Sequence, residues 1–492
     1  MRAWAPGGPV ETVALGRPVS VGDALYATTV LSMALDFDDY VCFGHTGHSA
    51  VLVPVLLAAE TGSSATEQLV AQAAANEVEA RLGGACLIGP QNGQLWSFIH
   101  AAGAALAAGR LLDLDPGRLA HALAIALYQP PRATIPGFMA PDSKLLTAAE
   151  PALAGLRAAR LAAAGVTGPL DTLEHPDGFL GAFADAPLAG MLSGLGQAWA
   201  TRTLCVKPYP GCAYLDTTVD ALLELGPPKP EEVDLVVVEA SILTCEMDRM
   251  SRRYAMPFDP AGAPTPASAP SGTPNPPGPW QGTPTPVTIN FSVAWNVAAT
   301  LLGGELTPRQ TEAGWLAGHE HDLRALAAKV ELRHDWGLTR LATDSFAGLV
   351  PPGRVARDAG LGRLRRSVGR LRTRGGDGGG AGVRDLRGIG QLLWPLPDLR
   401  SLSRSRDFWQ PDVVDSFAMT FPARVRVRRT DGREDVATVW TPRGAAGHPS
   451  VGPSEVSRAK LAAWGPLMWG EDGTAALAAA VDADAGDLHT RL

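Results

Sequence analysis

LDFDDYVCFGHTGHSAVLVP, residues 35–54, is the stretch on which the fold assignment of this chain depends. It contains three carboxylates followed by two histidines: Asp36, Asp38, Asp39, His45 and His48. Glycines lie beside and between the histidines, and an apolar run with helical character follows. Carboxylates and imidazoles on one short loop are typical of a proton-transfer site. A polar loop between two helices, capped by Ser49, would explain the same residues without any chemistry.

On both sides of this loop, apolar residues recur with helical spacing. The pattern predicts helices over residues 20–35, 49–59, 64–82, 96–109 and 144–164, and from residue 116 onward. The helix at 96–109 is rich in Ala and Gly, which allows close packing between helices. No convincing alternating strand pattern occurs before residue 200. The sequence therefore predicts an all-α helical domain over residues 1–205.

The pattern changes beyond Lys207. Residues 233–243 form a β-branched run typical of a strand. Residues 421–440 contain two alternating runs around Thr430-Asp431-Gly432, which predicts a hairpin. A helix is expected between these strands, near residues 292–302, and the tail returns to a helical pattern at 454–481. We expect a mainly-α fold with an α+β lid domain over 206–442 and C-terminal helices over 443–492 that pack on the helical domain.

Two segments of the lid domain have the composition of insertions. Residues 257–286 contain eleven prolines, which favours extended or disordered chain. The second segment, 363–388, is rich in Arg and Gly and is expected to be a mobile basic loop. Because no aromatic residues interleave with its arginines, it does not favour nucleic-acid binding.

The amino-acid composition limits the classes of protein to which this chain can belong. The chain has 492 residues, of which 46% are apolar and 19% charged, as in a soluble globular protein. A net charge of −8 disfavours a general nucleic-acid binder. Five cysteines without a CxxC pair indicate reduced thiols and a cytoplasmic location. No signal peptide is evident, and the apolar runs are too short or too interrupted for a membrane span.

Three further side chains are candidates for chemistry, and each has a simpler explanation. His100 lies in SFIHAAG, where a buried core histidine is the commoner outcome. Lys144 follows Asp142 and Ser143 at a predicted helix start, where a lysine opposes the helix dipole unless an anion is bound. Lys207 lies in CVKPYPGC, a stiff junction that would point it into a cleft between domains. Taken singly, each lysine is more simply a surface residue.

Motifs for nucleotide, flavin and metal chemistry do not occur. The chain contains no P-loop, no GxSxG, no HExxH and no zinc-ligand spacing. If the chain is an enzyme, the residues therefore point to acid/base catalysis without a cofactor or metal.

Several blocks, in order, resemble the MmgE/PrpD family, which includes 2-methylcitrate dehydratase and cis-aconitate decarboxylase. The loop and helix at 35–60 resemble the signature segment of that family. Further similar blocks are SFIHAAGAALAAGRLLDLD at 97–115, the segment 140–183 that begins APDSKLL, VKPYPGCAYLDTTVDALLEL at 206–225, NFSVAWNVAATLLGG at 290–304 and the hairpin at 424–444. The resemblance covers roughly residues 10–470 apart from the two insert-like segments.

The resemblance implies a large helical domain with a smaller α+β lid, a homodimer, and a metal-independent active site in a cleft between the domains. It implies that the cleft is lined by Asp36, by His45 or His48, by His100, by Lys144 and by Lys207. Tyr40 and Trp295 would contact the substrate, although other members carry different residues at these positions. Asp36 is expected to orient a histidine. The implied partner is a small carboxylate, with neither nucleic acid nor membrane.

The implied activity is a cofactor-independent lyase that dehydrates or decarboxylates a small di- or tricarboxylate. An isomerase or epimerase on the same scaffold is an alternative, because it needs the same proton transfers without a leaving group. A non-catalytic family member is another, suggested by Tyr40, by Trp295 and by a start close to the signature loop. Family members usually have several more helices before that loop, so either the start codon has been assigned too late or this chain lacks part of the helical core and its dimer contacts.

Overall fold

The computed structural model describes residues 7–12, 14–42, 44–89, 97–139, 142–255, 285–360, 362–365 and 407–484. Nearly all of the proline-rich segment 257–286 and of the Arg/Gly-rich segment 363–388 lies outside these residues. The predictions of extended chain and of a mobile loop for these segments therefore stay predictions.

The described elements are mainly helical, as the sequence predicted. The helices are α1 Val21–Ser32, α2 Gly47–Ala50, α3 Leu52–Thr61, α4 Ala65–Ala85, α5 Ser97–Leu111, α6 Pro116–Tyr128, α7 Ile135–Met139, α8 Ala149–Ala163, α9 Phe179–Phe183, α10 Asp216–Glu224, α11 Ile242–Ala255, α12 Pro286–Ile289, α13 Val293–Gly303, α14 Ala313–Gly318, α15 Glu320–Ala327, α16 Trp336–Ala347, α17 Pro352–Ala359, α18 Pro411–Asp415 and α19 Pro453–Asp484. The strands are β1 Val10–Thr12, β2 Arg17–Val19, β3 Asp39–Tyr40, β4 Cys205–Val206, β5 Val233–Ala240, β6 Val330–His334, β7 Ala423–Arg429 and β8 Glu434–Val439.

Local capping explains where several of these helices begin. Ser20 accepts a hydrogen bond from the backbone N–H of Asp23 at the start of α1. Ser64 and Glu67 form a reciprocal capping box at the start of α4, which satisfies two backbone donors that a helix start leaves unpaired. Ser292 caps α13 in the same way as Ser20 caps α1. These are the starts that the sequence pattern predicted most closely.

The centre of the helical domain is the Ala- and Gly-rich helix α5, which packs against α4, α6 and α8. Nearly all of its residues are buried. Gly155 of α8 lies against its backbone: a Cβ at this position would come within 2.3 Å of the carbonyl oxygen of Ala101. Small residues therefore set the short distance between α5 and α8 and hold the residues of α5 rigidly.

The lid domain is built on a four-stranded sheet with the order β6-β5-β7-β8. Strand β5 runs parallel to β6 and antiparallel to β7, and β7 and β8 form the predicted hairpin around Gly432, whose φ is 86°. Along β7, buried residues alternate with accessible ones, so one face of the sheet packs on α10 and α13. This face, with α13 and α15, forms the core of the lid.

Two parts of the region between residues 206 and 442 pack on the helical domain instead of the sheet. Residues 346–364 and 408–421 share a hydrophobic core with α4, α5 and α9. Within this core, Nε1 of Trp409 donates a hydrogen bond of 2.9 Å to the carbonyl oxygen of Met191. The helical domain is therefore completed by chain that lies between strands β6 and β7 in sequence.

Three short strands occur where the sequence predicted only helices. Strands β1 and β2 pair as a small antiparallel ladder near the N-terminus. Strand β3 pairs with β4, so that Asp39 lies opposite Val206 and Tyr40 opposite Cys205. Strands of two or three residues are too short to produce a period-2 pattern, which is why the sequence did not indicate them. The β3–β4 ladder fixes the position of the signature loop.

Candidate active site

The signature loop and the junction at Lys207 meet through the β3–β4 ladder. The backbone N–H of Lys207 donates to the carbonyl oxygen of Asp38 at 3.1 Å. Asp36 has a φ of 49°, a left-handed conformation that Asp tolerates better than most residues. This turn brings the side chains of Asp36 and Asp38 to the two lysines predicted from sequence.

Lys144 and Asp36 form an ion pair that is closed to solvent. The Nζ of Lys144 lies 2.5 Å from Oδ2 of Asp36, and neither residue has exposed surface. With its amide oxygen turned toward the ammonium, Asn290 accepts a second hydrogen bond from Lys144 at 3.0 Å. The ring of Phe291 lies 4.7 Å from the same ammonium. Lys144 is therefore a buried residue, not the surface lysine that its isolated sequence context favoured.

Lys207 is also fully buried and contacts both aspartates of the loop. Its Nζ lies 2.6 Å from Oδ1 of Asp38 and donates a 2.9 Å hydrogen bond to the carbonyl oxygen of Asp36. Burial alone would raise the pKa of Asp38, but the charge of Lys207 and contacts with His45 outweigh burial and hold that pKa well below its usual value. Asp38 is therefore a carboxylate over the physiological pH range.

The two histidines of the loop share one oxygen of Asp38. Nδ1 of His45 and Nε2 of His48 each lie 2.9 Å from Oδ2 of Asp38. Nδ1 of His48 lies 2.8 Å from the hydroxyl oxygen of Ser32 on α1. The carboxylate that contacts both histidines is thus Asp38, which corrects the expectation that Asp36 fulfils this role. The reason is geometric, since Asp36 is turned toward Lys144.

The two histidines differ in how accessible they are. The side chain of His45 is 15% exposed, and that of His48 is 2% exposed. An incoming molecule would meet His45 first, while His48 is held between α1 and the loop.

His100 on α5 completes the group of imidazoles. Its ring centroid lies 5.8 Å from that of His48, in an edge-to-face arrangement. Its Nδ1 lies 2.8 Å from the hydroxyl oxygen of Ser49, which is 2.6 Å from Oε1 of Glu79. Burial, followed by the nearby His48 and His45, lowers the pKa of His100 well below its usual value. His100 is therefore a neutral imidazole.

The two residues predicted to bind substrate differ in their relation to this cluster. Tyr40 lies beside it, with its ring centroid 5.9 Å from that of His45. Trp295 lies buried in the core of the lid, where the guanidinium of Arg324 is 5.7 Å from its ring centroid. Among the described residues, no contact joins Trp295 to the lysines or histidines. The tail helix provides a nearer residue, Lys460.

Lys460 of α19 ties the C-terminal tail to the site, as expected for helices that return to the helical domain. Its Nζ donates 2.8 Å and 3.3 Å hydrogen bonds to the carbonyl oxygens of Phe37 and Lys207. Burial, only partly offset by Asp38, lowers its pKa from 10.5 to about 8. Sequence reasoning missed this lysine because its partners lie hundreds of residues away.

In wild type, the free energy of unfolding is expected to rise as the pH rises from about 8 to 10.5, because the pKa of Lys460 is lowered in the folded state. Replacing Lys460 with methionine is expected to remove this rise. In this window the unfolded chain binds more protons at residue 460 than the folded chain, so the free energy of unfolding rises with pH. Below about pH 8 the lysine is protonated in both states, and its contribution is constant. Denaturant unfolding of both proteins across this range tests the prediction, and a difference that does not vary with pH would contradict it.

Sequence reasoning also missed Ser49 and Glu79 as site residues. Ser49 was considered only as a helix cap, whereas it lies inside α2 and contacts His100. Glu79 lies in the run NEVEARL, where alternating charges resemble a solvated helix face, yet Glu77, Glu79 and Arg81 are all buried. The four-residue spacing of Glu77 and Arg81, which form an ion pair, is typical of an exposed helix face, so the local sequence gave no signal that these residues are buried.

A cleft of about 300 Å³ opens next to the Lys144 segment. It is lined by the start of α5 and by residues on both sides of Lys144: Ser97, Pro131, Gly137, Ser143, Thr147 and Glu150 among them. Within the described part of the chain, no group of three or more His, Cys, Asp or Glu side chains has the arrangement of a metal site. None of the described helices is both long and apolar enough to cross a bilayer.

Comparison with protein families gives one match. Residues 2–189 match the model of the MmgE/PrpD N-terminal domain, which includes the signature loop, α5 and Lys144. A comparison with curated proteins finds no significant match. The family match agrees with the mainly helical fold and with the resemblance seen in the sequence.

Proposed function

The chain belongs to the MmgE/PrpD family, and on that premise we propose that it is a cofactor-independent lyase acting on a small di- or tricarboxylate. The observation that carries this proposal is the convergence of two buried lysines and two histidines on the adjacent carboxylates of Asp36 and Asp38. The proposed reaction is dehydration, in which a proton leaves the carbon next to a carboxylate and a hydroxyl group leaves the neighbouring carbon as water.

The lysines provide the proposed carboxylate-binding groups. An ammonium has three N–H donors. The described partners of Lys144 take two of them, and the described partners of Lys207 also take two. One donor of each lysine therefore remains for a substrate carboxylate, and such charge-assisted hydrogen bonds are about twice as strong as neutral ones. Because both lysines contact Asp36, we propose that their ammonium groups bind the same small molecule.

The histidines provide the proposed proton transfers. Asp38 stabilises a positive charge on His45 or His48, so either imidazole can take the proton from carbon. His100 is neutral and has described polar contacts only at Nδ1, so its Nε2 can give a proton to the departing hydroxyl. The low exposure of the site strengthens each of these electrostatic interactions. Decarboxylation would use the same groups, with a histidine or lysine reprotonating the carbanion.

Two alternatives use the same observations. An isomerase or epimerase would remove and return a proton at one carbon, and would leave the substrate mass unchanged. A non-catalytic family member would bind a carboxylate without turnover. The shared contacts of the two lysines with Asp36 argue against this last alternative, which would be favoured by lysines held far apart. By resemblance to the family, we also propose a cytoplasmic homodimer.

Deuterium exchange tests the proposal directly. We expect the protein in D₂O to introduce deuterium into a carbon of citrate, 2-methylcitrate, cis-aconitate or another small carboxylate, observed by NMR and mass spectrometry. The double variant His45→Ala, His48→Ala should lose this exchange, since it removes both proposed bases. His321→Ala is the matched control, because the side chain of His321 is 97% exposed and lies in the lid, so its exchange should equal that of wild type.

The accompanying mass change distinguishes the reactions. Loss of water from the substrate would support a dehydratase, and loss of carbon dioxide would support a decarboxylase. A substrate whose mass changes only by the deuterium that it gains would support an epimerase. Absence of exchange with every carboxylate, from protein shown to be folded by circular dichroism, would contradict the lyase proposal and favour a non-catalytic role.

A further inference from the structure

A chain of three buried polar side chains lies behind His100. The hydroxyl oxygen of Ser49 is 2.6 Å from Oε1 of Glu79 and 2.8 Å from Nδ1 of His100. Ser49 and Glu79 have no exposed surface, and His100 is 3% exposed. Gly103 of α5 leaves room for this arrangement, because a Cβ there would come within 1.6 Å of Oε1 of Glu79. A larger residue than glycine at position 103 would therefore displace the side chain of Glu79.

The hydroxyl of Ser49 also lies 3.3 Å from the carbonyl oxygen of Thr46, but its contacts with Glu79 and His100 are shorter. With the Ser49 proton in one of these two shorter contacts, counting protons leaves two possible arrangements. Two hydrogen bonds join the three side chains, but the hydroxyl of Ser49 supplies only one proton. The second proton must come from the carboxyl group of Glu79 or from Nδ1 of His100. In the first case the direction is Glu79 to Ser49 to His100, and His100 carries its proton on Nε2. In the second case the direction is reversed, and Nε2 is a bare acceptor.

The surroundings of Glu79 favour the first arrangement. No cation faces this carboxyl group: its neighbours are Ser49 on α2, His100 on α5 and Asp39 of β3, the last of which adds negative charge. Within the described residues, Oε2 of Glu79 has no hydrogen-bond partner. An ionised carboxylate in such a place would be costly, and burial, reinforced by Asp39, raises the pKa of Glu79 well above its usual value. Glu79 is therefore a protonated carboxylic acid.

We propose that Glu79 is a positioning residue that sets the tautomer of His100 and resupplies its proton through Ser49, an inference that rests on the proposed function. When His100 gives its Nε2 proton to the departing hydroxyl, the Ser49 proton moves to Nδ1 and the Glu79 proton moves to Ser49. The hydroxyl leaves as water, Glu79 becomes a carboxylate, and the proton taken from carbon remains on His45 or His48. Return of that proton to Nε2 of His100, while the Nδ1 proton moves back to Ser49 and the Ser49 proton back to Glu79, restores the starting state.

The tautomer can be measured without any substrate. In protein labelled with ¹⁵N-histidine, we expect the signal of His100 to show a protonated Nε2 and an accepting Nδ1. The Ser49→Ala variant should lose this preference and give a mixture of tautomers. The Glu79→Gln variant should keep it, because its amide can still donate to Ser49. A proton on Nδ1 of His100 in wild type would overturn the proposal, as would an unchanged tautomer in Ser49→Ala.

The protonation of Glu79 has its own signature. Infrared difference spectra between wild type and Glu79→Gln should contain the carbonyl stretch of a protonated carboxylic acid, and a carboxylate band in its place would overturn the proposal. Glu77→Gln is the matched control on the same helix, since Glu77 is buried but bonds to Arg81 and Thr201. It should leave the His100 signal unchanged.

Measurements of kcat and KM then distinguish a failure of this inference from a failure of the proposed function. If a substrate is found, Glu79→Gln should lower kcat about 10²-fold with little change in KM, as for loss of a general-acid contribution. An unchanged kcat would overturn the resupply of protons. If no carboxylate is turned over, the proposed function fails, while the histidine and infrared spectra still decide whether the Glu79–Ser49–His100 chain is arranged as proposed.

Discussion

Replacing Lys144 with methionine is expected to lower the free energy of unfolding by about 3–5 kcal/mol, the usual cost of breaking a buried ion pair. The substitution keeps most of the side-chain volume but removes the ammonium that lies 2.5 Å from Asp36. Burial raises the pKa of Asp36, and the charges of Lys144 and then Lys207 bring it below its usual value. Without Lys144, the aspartate must stay charged with one cation fewer or take up a proton.

Denaturant unfolding monitored by circular dichroism measures this effect. The matched control is Arg160→Met, which breaks an ion pair of the same 2.5 Å length with Glu60, where both side chains are more than one-third exposed. It should cost at most about 1 kcal/mol, because water screens such pairs. The double variant Asp36→Asn, Lys144→Met should recover part of the loss, since no unpaired charge remains. Equal losses for Lys144→Met and Arg160→Met would contradict the prediction.

Replacing Asp38 with asparagine is expected to lower kcat on the substrate identified by exchange by about 10²- to 10⁴-fold, the usual range for acid/base groups. Among the described residues, Asp38 is the one carboxylate that contacts Lys207, His45 and His48 together. An amide cannot stabilise a positive imidazole and would leave Lys207 with less compensating charge. The substitution should therefore slow the proton transfer by the histidines and shift the position of Lys207.

Asp39→Asn provides the matched control for Asp38→Asn. Burial, and then the charge of Asp38, raises the pKa of Asp39. The described side-chain contact of Asp39 is with the hydroxyl of Thr46 and not with a lysine or histidine of the site, so the Asp39 variant should keep most of its activity. Steady-state rates of the two variants, at equal circular dichroism, give the comparison. A similar loss of activity in both variants would contradict the prediction, because it would mean that activity depends on the conformation of the loop and not on the carboxylate of Asp38.

The regular elements of this fold could be predicted from sequence because their signals are local. Ser20 and Ser64 are caps next to apolar helical patterns, and Asp431-Gly432 lies between two alternating runs. Each of these features needs only a few consecutive residues to form. The two-residue strands of the β3–β4 ladder have no such signal, since a pair of residues defines no period.

The site was predictable in its residue types and less so in its contacts. Lys144 and Lys207 gave no local reason to be buried, because their partner Asp36 lies 108 and 171 residues away. Likewise, the loop sequence shows three aspartates but not which one faces the histidines. Which aspartate faces the histidines depends on the positive φ of Asp36. An aspartate can adopt this backbone conformation but does not have to, so the sequence alone does not predict it.

The β3–β4 ladder also has a consequence for the order in which the molecule folds. It pairs Asp39 with Val206 and Tyr40 with Cys205, and the hydrogen bond beside it from Cys42 to Thr203 joins residues 161 positions apart. Helices and neighbouring helix pairs can form early, whereas closing so long a loop costs chain entropy that is regained only when the ladder and its surroundings pack. We therefore expect the aspartates of the loop and Lys207 to remain hydrated during most of folding. On this expectation they lose water only when the segments finally dock, so partly folded chains do not bury these charges without partners.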